Sequence, residues 1–406
     1  MIKIPYGAGD ITLNLPADVA ETDLQHIQPV DLQIPAIEVS DVAQAIIIFT
    51  DATRHAPDQL FAEKILAALP LPAERVRFLC AIGMHRPSTH AEKIAKLGEA
   101  ILNTYRVDDH DPAQVVNIGT IDGIPVEVNR ALVEPNTLLI SLGVVEPHQY
   151  AGYSGGAKTA VIGCGGAGTI SKTHSVSMLD HPGVRLGVIE GNPFQQFVRQ
   201  AGAMIGRNLI ANAVLPAPDL IAAAGFGEVS LHDELVRQAR HLYETPVPNA
   251  PYDVVIAGVG APKDANLYQA SRAATYIGLS GNPVLRTGGV IIVPATMPEG
   301  AGQGAGERNF YRLLERLHPS VALMDYLRQQ DALPGEQRAY MIAQMLQKYH
   351  CIMVGAADPG SVTGAGLRYA DTLEAALTEA TAITGQAQPK ILVVPHALQT
   401  LPVFTR

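Results

Sequence analysis

The chain has 406 residues, 47% of them hydrophobic, and a formal net charge of −10 at pH 7. This length exceeds one average domain, so we expect two domains with sizeable cores. The acidic balance argues against a nucleic-acid-binding surface, which needs clustered Lys and Arg. No apolar run reaches the roughly 20 residues of a membrane span, and the N-terminus lacks a signal-peptide pattern. We therefore expect a cytoplasmic protein that handles small molecules and binds neither nucleic acid nor membrane.

Apolar runs alternate with helical patterns from the N-terminus to Leu242. Residues 2–15 hold two short runs around a glycine turn, which predicts a β-hairpin. Continuously apolar, β-branched runs predict buried strands over 45–49, 78–82 and 137–142. Helices are predicted over 60–69, 193–203 and 231–242, and Thr89–Glu92 matches a capping box that starts another helix.

The segment Glu244–Pro251 carries three prolines in eight residues. We predict a domain boundary there, which gives domains over 1–245 and 251–406. The pattern then restarts, with strands predicted at 254–257, 290–293, 352–354 and 391–394 and helices between them. This alternation predicts an α/β fold in which each domain is a mostly parallel sheet covered by helices. We expect the last residues to pack back on the N-terminal domain.

Reactive side chains follow four of the predicted strands. They are Asp51 and Arg54, then His85 and Arg86, then His148 and Lys158, and in the second domain Lys263, Tyr268, Gln269 and Arg272. Ligands of parallel α/β sheets bind outside the carboxyl ends of the strands. We therefore predict one site in a cleft between the domains, although this pattern does not specify a reaction.

Two glycine-rich loops leave other functions open. Gly152–Thr159 resembles the phosphate-binding loop GxxxxGK[ST], but Ala157 stands where the second glycine is required. Gly163–Gly168 matches GxGxxG and is followed by the acidic Glu190 at about the expected spacing, but the apolar run before it is very short. These loops favour a nucleotide-binding dehydrogenase or hydrolase, with backbone amides on a phosphate.

The stretch Glu146–His174 resembles the cofactor-anchoring segment of the nickel-dependent lactate racemase family. His148 stands ten residues before Lys158, and sixteen further residues lead to His174. Other family motifs follow in the same order: the Tyr-Gly start, Asp51-Ala-Thr-Arg54, Gly83-Met-His-Arg-Pro87 and Asn266-Leu-Tyr-Gln269. The resemblance covers nearly the whole chain and implies a racemase or epimerase, an isomerase acting on a 2-hydroxy acid. The alternative from another class is a relic that binds nickel or nucleotide without turnover.

The resemblance implies a nickel-pincer nucleotide, Ni pyridinium-3-thioamide-5-thiocarboxylic acid mononucleotide. Its ring grips nickel through two sulfur-bearing arms and a ring carbon. By the same resemblance, Lys158 is tethered to this cofactor through a thioamide. His174 completes the square-planar coordination that suits Ni(II). The positions expected to contact the cofactor around them are Asp51, Thr53, Gly155 and Gly156. Proteins of cofactor biosynthesis are the implied partners.

The implied reaction is reversible hydride transfer from Cα of the 2-hydroxy acid, through a transient 2-keto acid. His85 and His148 are the implied acid–bases, one for each enantiomer. Histidine suits this role because it titrates near neutral pH. Arg54 is expected to hold the substrate carboxylate or to polarise the substrate oxygen.

The sequence departs from the family pattern beside the substrate. His55 follows Arg54 where the family often has proline, and Arg272 stands where lactate racemase has lysine. Arginine and lysine are not interchangeable at a carboxylate site. We therefore predict that Arg272 and Arg86, with hydrogen bonds from Tyr268 and Gln269, bind a hydroxy acid larger or more anionic than lactate. A sugar acid and a dicarboxylate are examples.

Three other expectations concern a glycine-rich loop, the oligomeric state and the remaining histidines. The loop Gly300–Gly306 is either a mobile lid over the cleft or a flexible turn. A homo-oligomer is one option for the assembly, which the sequence does not fix. Five histidines are expected on the surface: His181, His232, His241, His318 and His350.

Overall fold

A computed structural model describes residues 1–217, 219–249, 251–330 and 332–404. The strands of these residues are β1 (Ile2–Tyr6), β2 (Gly9–Leu13), β3 (Asp18–Val19), β4 (Gln44–Thr50), β5 (Val76–Ala81), β6 (Arg106–Asp109), β7 (Val115–Ile121), β8 (Ile124–Asn129), β9 (Thr137–Val144), β10 (Pro147–His148), β11 (Gly152–Tyr153), β12 (Asn208–Val214), β13 (Ala223–Glu228), β14 (Glu244–Val247), β15 (Tyr252–Ala257), β16 (Leu285–Pro294), β17 (His350–Val354), β18 (Arg368–Ala370), β19 (Ile391–Val394) and β20 (Leu401–Phe404).

The helices are α1 (Asp58–Ala68), α2 (His90–Leu97), α3 (Glu99–Thr104), α4 (Lys158–Val161), α5 (Ala167–Thr173), α6 (Val176–Asp180), α7 (Pro193–Met204), α8 (Leu231–Tyr243), α9 (Leu267–Gly278), α10 (Ala305–Leu317), α11 (Val321–Arg328), α12 (Glu336–Leu346), α13 (Pro359–Gly364) and α14 (Leu373–Thr384). Two 3₁₀ turns, Ala73–Arg75 and Arg130–Val133, lead into β5 and β9. Within the described residues, no helix combines the length and the apolar character needed to cross a membrane.

The chain divides into two compact units, each built from separated segments. The N-terminal unit consists of Asp23–His174 and Ile189–Leu242. The C-terminal unit takes Met1–Thr22, Ser175–Val188 and the chain from Tyr243 onward. The chain therefore passes into the C-terminal unit just before the proline-rich segment predicted as the domain boundary. Ala250 of that segment lies outside the described residues.

The N-terminal unit is built on a six-stranded sheet in the order β13-β12-β9-β4-β5-β6. Only β13 runs antiparallel to its neighbour. Alternate residues of β4, such as Ile47 and Phe49, share a core with Phe61 and Ile65 of α1. Ile46 and Ile48, on the opposite face, are also fully buried. This burial on both faces confirms the parallel strand predicted over 45–49.

The C-terminal unit repeats the architecture with an all-parallel sheet, β18-β17-β16-β15-β19-β3. Helix α14 packs on its central strands, with Ala376 and Ala380 beside Ile292 and Ile352. The predicted α/β class with parallel sheets under helices is confirmed.

Apolar contacts explain why the segment Met1–Thr22 joins the C-terminal unit. β1 and β2 form the predicted antiparallel hairpin, and Ile4 and Leu13 lie in the core around Val254. The short strand β3 then adds to the edge of the sheet beside β19.

The segment Ser175–Val188 is held by polar contacts. Asp180 accepts a hydrogen bond from Arg328 at 3.1 Å, and Leu186 forms a bridge with Ser280. At the other end of the chain, β20 pairs in parallel with β14. Thr405 and Arg406, the last of the residues expected to pack back, lie outside the described residues.

Candidate active site

Three loops of the N-terminal unit meet where neighbouring parallel strands end. Asp51 directly follows β4, His85 follows β5, and His148 follows β9. The strand β4 lies between β5 and β9. After β4 the chain adds β5 and β6 on one side of it, and later adds β9, β12 and β13 on the other side. Such a reversal of strand order is where open α/β sheets bind ligands.

Asp51 and His85 form a hydrogen-bonded pair. The Nδ1–H of His85 donates to a carboxylate oxygen of Asp51 over 2.6 Å. The other Asp51 oxygen accepts from the Thr53 backbone at 3.1 Å and from its hydroxyl at 2.6 Å. Burial alone would raise the pKa of Asp51, but these hydrogen bonds and the charge of Arg54 outweigh burial and lower it. An ionised Asp51 fixes the His85 tautomer and leaves Nε2 as the basic nitrogen.

Arg54 lies beside Glu146. The nearest guanidinium and carboxylate atoms are 3.8 Å apart, and both side chains are partly exposed. This distance exceeds that of a hydrogen bond, so the Arg54 fork remains open to a second carboxylate. The Asp51 carboxylate accepts hydrogen bonds from His85 and Thr53 rather than from the Arg54 side chain.

A buried ion pair supports the Arg54 loop. The ammonium group of Lys96 pairs with Asp58 and donates to the Thr50 hydroxyl and to the Arg54 carbonyl, each at 2.9 Å. Asp58 is 1% exposed. Lys96 therefore connects the protein core to the backbone that carries Arg54.

Replacing Lys96 with methionine is expected to destabilise the protein by about 3–5 kcal/mol, because Asp58 would lose its partner while staying buried. Urea unfolding followed by circular dichroism measures this change. Lys64→Met, which breaks the partly exposed pair with Asp31, serves as the control and should cost less than about 1 kcal/mol. Equal effects of the two substitutions would contradict the role assigned to Lys96.

His148 is 9% exposed and sits in the two-stranded ribbon of β10 and β11, opposite Gly152. Its Nδ1 accepts hydrogen bonds from the backbone amides of Tyr150, at 3.3 Å, and Ala151, at 3.2 Å. Neutral His148 therefore carries its proton on Nε2. The two predicted acid–bases thus hold opposite tautomers.

Lys158 begins α4 and is half-buried. Burial, together with the charge of Arg54, lowers its pKa to about 7, against the opposing influence of Glu146 and Asp51. Among the described residues, its ammonium group takes part in none of the hydrogen bonds or ion pairs. A neutral amine is a nucleophile, so this environment favours the nucleophilic form of Lys158, and its role as the cofactor tether stays a prediction.

His174 ends α5 with its Nδ1–H donated to the Ile170 carbonyl at 3.0 Å. This bond leaves the Nε2 lone pair available to a metal, the usual arrangement for a ligand histidine. Burial and the charge of Lys158 lower its pKa to about 4. His174 is therefore neutral at pH 7, the form that binds metal.

An aromatic cluster joins His174 to His148. The His174 ring packs against Tyr150 at 4.9 Å and Phe194 at 5.2 Å between ring centroids. His148 contacts the same two rings at 5.7 and 6.4 Å. The predicted metal ligand His174 and the predicted acid–base His148 therefore pack against the same two aromatic side chains.

The glycine-rich loops do not have the geometry of a nucleotide-binding dehydrogenase. Gly163–Gly168 follows α4 rather than a strand. The Gly168 amide, in the first turn of α5, donates to the Glu127 carboxylate at 2.8 Å. A carboxylate already occupies the place where a phosphate would bind. In the other loop, the Gly156 amide donates to Asn212 at 2.8 Å.

Arg86 pairs with Glu92. Its two guanidinium nitrogens donate to the Glu92 carboxylate at 2.9 and 2.6 Å, and its side chain is 67% exposed. Glu92 also completes the capping box with Thr89 that the sequence predicted for α2. The structure therefore gives Arg86 a local partner, and its substrate role stays a prediction.

Tyr268, Gln269 and Arg272 occupy the first turns of α9 in the C-terminal unit. Arg272 donates to the Gln269 side chain at 3.4 Å and to the Tyr276 hydroxyl at 3.0 Å. Tyr268 packs edge-on against Phe310. Gln269 and Arg272 are thus brought together, and the substrate roles of all three predicted residues stay predictions.

The glycine-rich loop before α10 is tied to the start of α9. The Leu267 amide donates to the Gly300 carbonyl at 2.8 Å. Glu307 accepts from the Gly304 amide at 2.7 Å and from Asn266 at 3.2 Å. These bonds define a hydrogen-bonded turn, and the lid function stays a prediction.

Comparison with known proteins places this arrangement in a family. Residues 28–187 match the lactate racemase N-terminal domain, and residues 247–401 match the lactate racemase C-terminal domain. The chain is 31% identical over 365 residues to the lactate racemase of Lactiplantibacillus plantarum, covering 87% of this chain and 83% of that protein. The chain belongs to the lactate racemase family. It is accordingly an isomerase.

Structural comparison supports the same assignment to the lactate racemase family. The lactate racemase of Thermoanaerobacterium thermosaccharolyticum is 28% identical over 385 residues, covering 87% of each chain. The structure of its apoprotein superposes with a TM-score of 0.83 at 27% identity, over 99% of both chains. A Thermotoga maritima protein of 18% identity shares the fold, with a TM-score of 0.66 over 91% of this chain and 95% of that one.

Several residues of the candidate site were given no role from the sequence of this lactate racemase family member. Glu146 opens the recognised stretch, but nothing in the sequence pairs it with Arg54. Tyr150 and Phe194 lie far apart in the sequence, and only folding joins their rings. The prediction that His232 lies on the surface is wrong, because this histidine is 3% exposed. His181, His241 and His318 are exposed and His350 is partly exposed.

Proposed function

We propose that the protein interconverts the configuration at C2 of a 2-hydroxy acid, with a nickel-pincer nucleotide tethered to Lys158. The observation that carries this proposal is the lysine itself, whose pKa lies near 7 in a half-buried position beside Arg54. A surface lysine would be protonated at that pH. An amine in this environment is suited to forming a covalent bond with a cofactor.

The residues present fit this cofactor. Lys158 supplies a neutral amine for the covalent bond, and His174 supplies one metal-ready nitrogen. The described residues contain no group of three or more His, Cys, Asp or Glu side chains placed to hold a metal. A nickel ion bound by His174 would therefore need its other ligands from the cofactor. Proteins that make this cofactor are the proposed partners.

When bound, the cofactor would supply an acceptor for the hydride of the substrate Cα–H bond. The chain supplies the proton transfer. Nε2 of His85 accepts the hydroxyl proton of one enantiomer, and Asp51 stabilises the resulting imidazolium through the Nδ1–H bond. Arg54 binds the substrate carboxylate with its open fork.

His148 serves the other enantiomer in this proposal. To accept a proton on Nε2, its ring must place a proton on Nδ1 and release the Tyr150 and Ala151 amides. Both bonds, at 3.2–3.3 Å, lie at the long end of the hydrogen-bond range, and the proposal requires that substrate binding displace them. A relic without turnover would not need the Asp51–His85 pair, so its presence favours an active enzyme.

Arg272 supports a substrate larger or more anionic than lactate. Its guanidinium is held by Gln269 and lies over the ring of Tyr276, 5.5 Å from the centroid. A fixed guanidinium is suited to bidentate binding of a second carboxylate. We therefore place dicarboxylic hydroxy acids and sugar acids ahead of lactate.

Single enantiomers of lactate, malate and sugar-derived 2-hydroxy acids test the proposal, with protein made beside the cofactor-producing enzymes. Chiral chromatography should show interconversion of at least one of them. Substrate deuterated at C2 should keep its label in the product, because hydride returns to the same carbon. Loss of the label to water would instead indicate removal of Cα hydrogen as a proton, and no exchange with any acid would overturn the proposal.

A further inference from the structure

His232 is buried directly beneath the loop that carries Lys158. It comes from the first turn of α8, a helix much further along the chain than this loop. Its Nε2–H donates to the Ser154 carbonyl at 2.8 Å, and its Nδ1 accepts from the Gln195 amide at 3.4 Å. Both ring nitrogens are thus used, which defines one neutral tautomer.

The loop above His232 depends on such contacts. Gly155 and Gly156 have φ of +86° and +62°, a conformation that side-chain-bearing residues rarely adopt. A Cβ at Gly156 would lie 3.0 Å from the His232 ring, and one at Gly155 would lie 2.8 Å from the Asn212 side chain. A side chain at either position would be strained and would clash with Asn212 or His232. The fold itself therefore requires both glycines.

Two further bonds complete this support. The Gly156 amide donates to Asn212 at 2.8 Å. The Ser154 hydroxyl donates to the Val144 carbonyl at 2.7 Å and accepts from the Glu146 amide at 3.1 Å. His232, Asn212 and Ser154 thus fix the loop just before Lys158 emerges from it.

We propose that His232 is a positioning residue that holds the Lys158 amine at its half-buried place for attachment of the cofactor. This inference rests on the proposed function of Lys158 as the tether. Without the bond from His232 to Ser154, only the bonds through Asn212 and the Ser154 hydroxyl would hold the loop, and the two glycines have no side chains that could add support. The amine would then move toward water and regain the behaviour of an ordinary lysine.

The test measures Lys158 in the protein without cofactor. A small acylating reagent is applied across a pH series, and peptide mass spectrometry gives the rate at Lys158. The wild type should reach half its maximal rate near pH 7. In His232→Leu this midpoint should rise by at least about one pH unit, with at least about a fivefold lower rate at pH 7. His232→Gln keeps an amide donor for the Ser154 carbonyl and should restore most of the rate.

Two further variants keep the test decisive. Gln195→Met removes the donor to Nδ1 while leaving the ring in place, and should shift the midpoint in the same direction by a smaller amount. His241→Leu, on the exposed face of the same helix, should leave it unchanged. If His232→Leu and Gln195→Met keep the wild-type midpoint with a normal melting temperature, the proposal is wrong.

The same proteins separate this inference from the proposed function. After production beside the cofactor-producing enzymes, the wild type should carry an adduct on Lys158 and His232→Leu should carry much less. A wild type that never gains an adduct overturns the tether. The shift in the acylation midpoint would still support the positioning role of His232.

Discussion

Replacing His85 with alanine is expected to lower the rate of enantiomer exchange by about 10²–10⁴-fold, the usual contribution of a general acid–base group. Nε2 of His85 is the nitrogen left basic by the bond to Asp51. The substitution should leave the cofactor on Lys158, because His85 does not anchor it. Chiral chromatography measures the exchange, and intact mass measures the cofactor.

Asp51→Asn provides the second arm of this prediction. The asparagine amide can no longer hold His85 with its proton on Nδ1, so the rate should fall by about 10²-fold or more. His90→Ala, at an exposed position in α2, is the control and should change nothing. Full exchange activity in His85→Ala would show that His85 is not an acid–base of the reaction.

Lys158 is expected to react with acylating reagents at a pH where ordinary lysines, with a pKa of about 10.4, are protonated. Burial and the charge of Arg54 lower its pKa to about 7, so about half of the amine is neutral at pH 7 and about nine-tenths of it at pH 8. The rate at Lys158 should therefore rise through pH 7 and then level off. Peptide mass spectrometry after timed acylation gives the profile.

Two charge substitutions should move this profile in opposite directions. Arg54 lowers the pKa of Lys158, so Arg54→Met should raise the midpoint of the profile. Glu146 raises that pKa, so Glu146→Gln should lower the midpoint, each by up to about one unit. A shared direction for both substitutions would show that charge does not control the amine.

The sequence predicted the central elements because their burial leaves a local signature. Strands β4, β5 and β9 are buried on both faces, and each appears in the sequence as a continuous apolar run. Strand β6 has no such run: Arg106–Asp109 is polar because it lies at the edge of the sheet. The short strand β3 was missed for the same reason, since Asp18 is partly exposed and Val19 is exposed at the edge of its sheet.

Local sequence patterns could not predict which segments form each of the two compact units. Ser175–Val188 belongs to the C-terminal unit through Asp180 and Leu186. Neither residue type indicates a distant partner. A boundary inferred from proline content marks where the chain changes composition, whereas compact units depend on long-range contacts.

The residue types of the site were predictable, and their pairings were not. The sequence indicated that Asp51, His85 and His148 each follow a predicted strand and share one site. The bond between Asp51 and His85, the proximity of Arg54 to Glu146 and the burial of His232 all join positions distant in sequence. Only the folded chain shows that Lys158 lies within reach of these charges.

The mass of the intact protein tests the tether most directly. Protein produced beside the cofactor-producing enzymes should be heavier than the bare chain by several hundred daltons, with nickel present and the addition mapped to Lys158. Lys158→Arg, produced in the same way, should have the mass of the bare chain and show no enantiomer exchange. An unmodified Lys158 in the wild type under these conditions would contradict the proposed function.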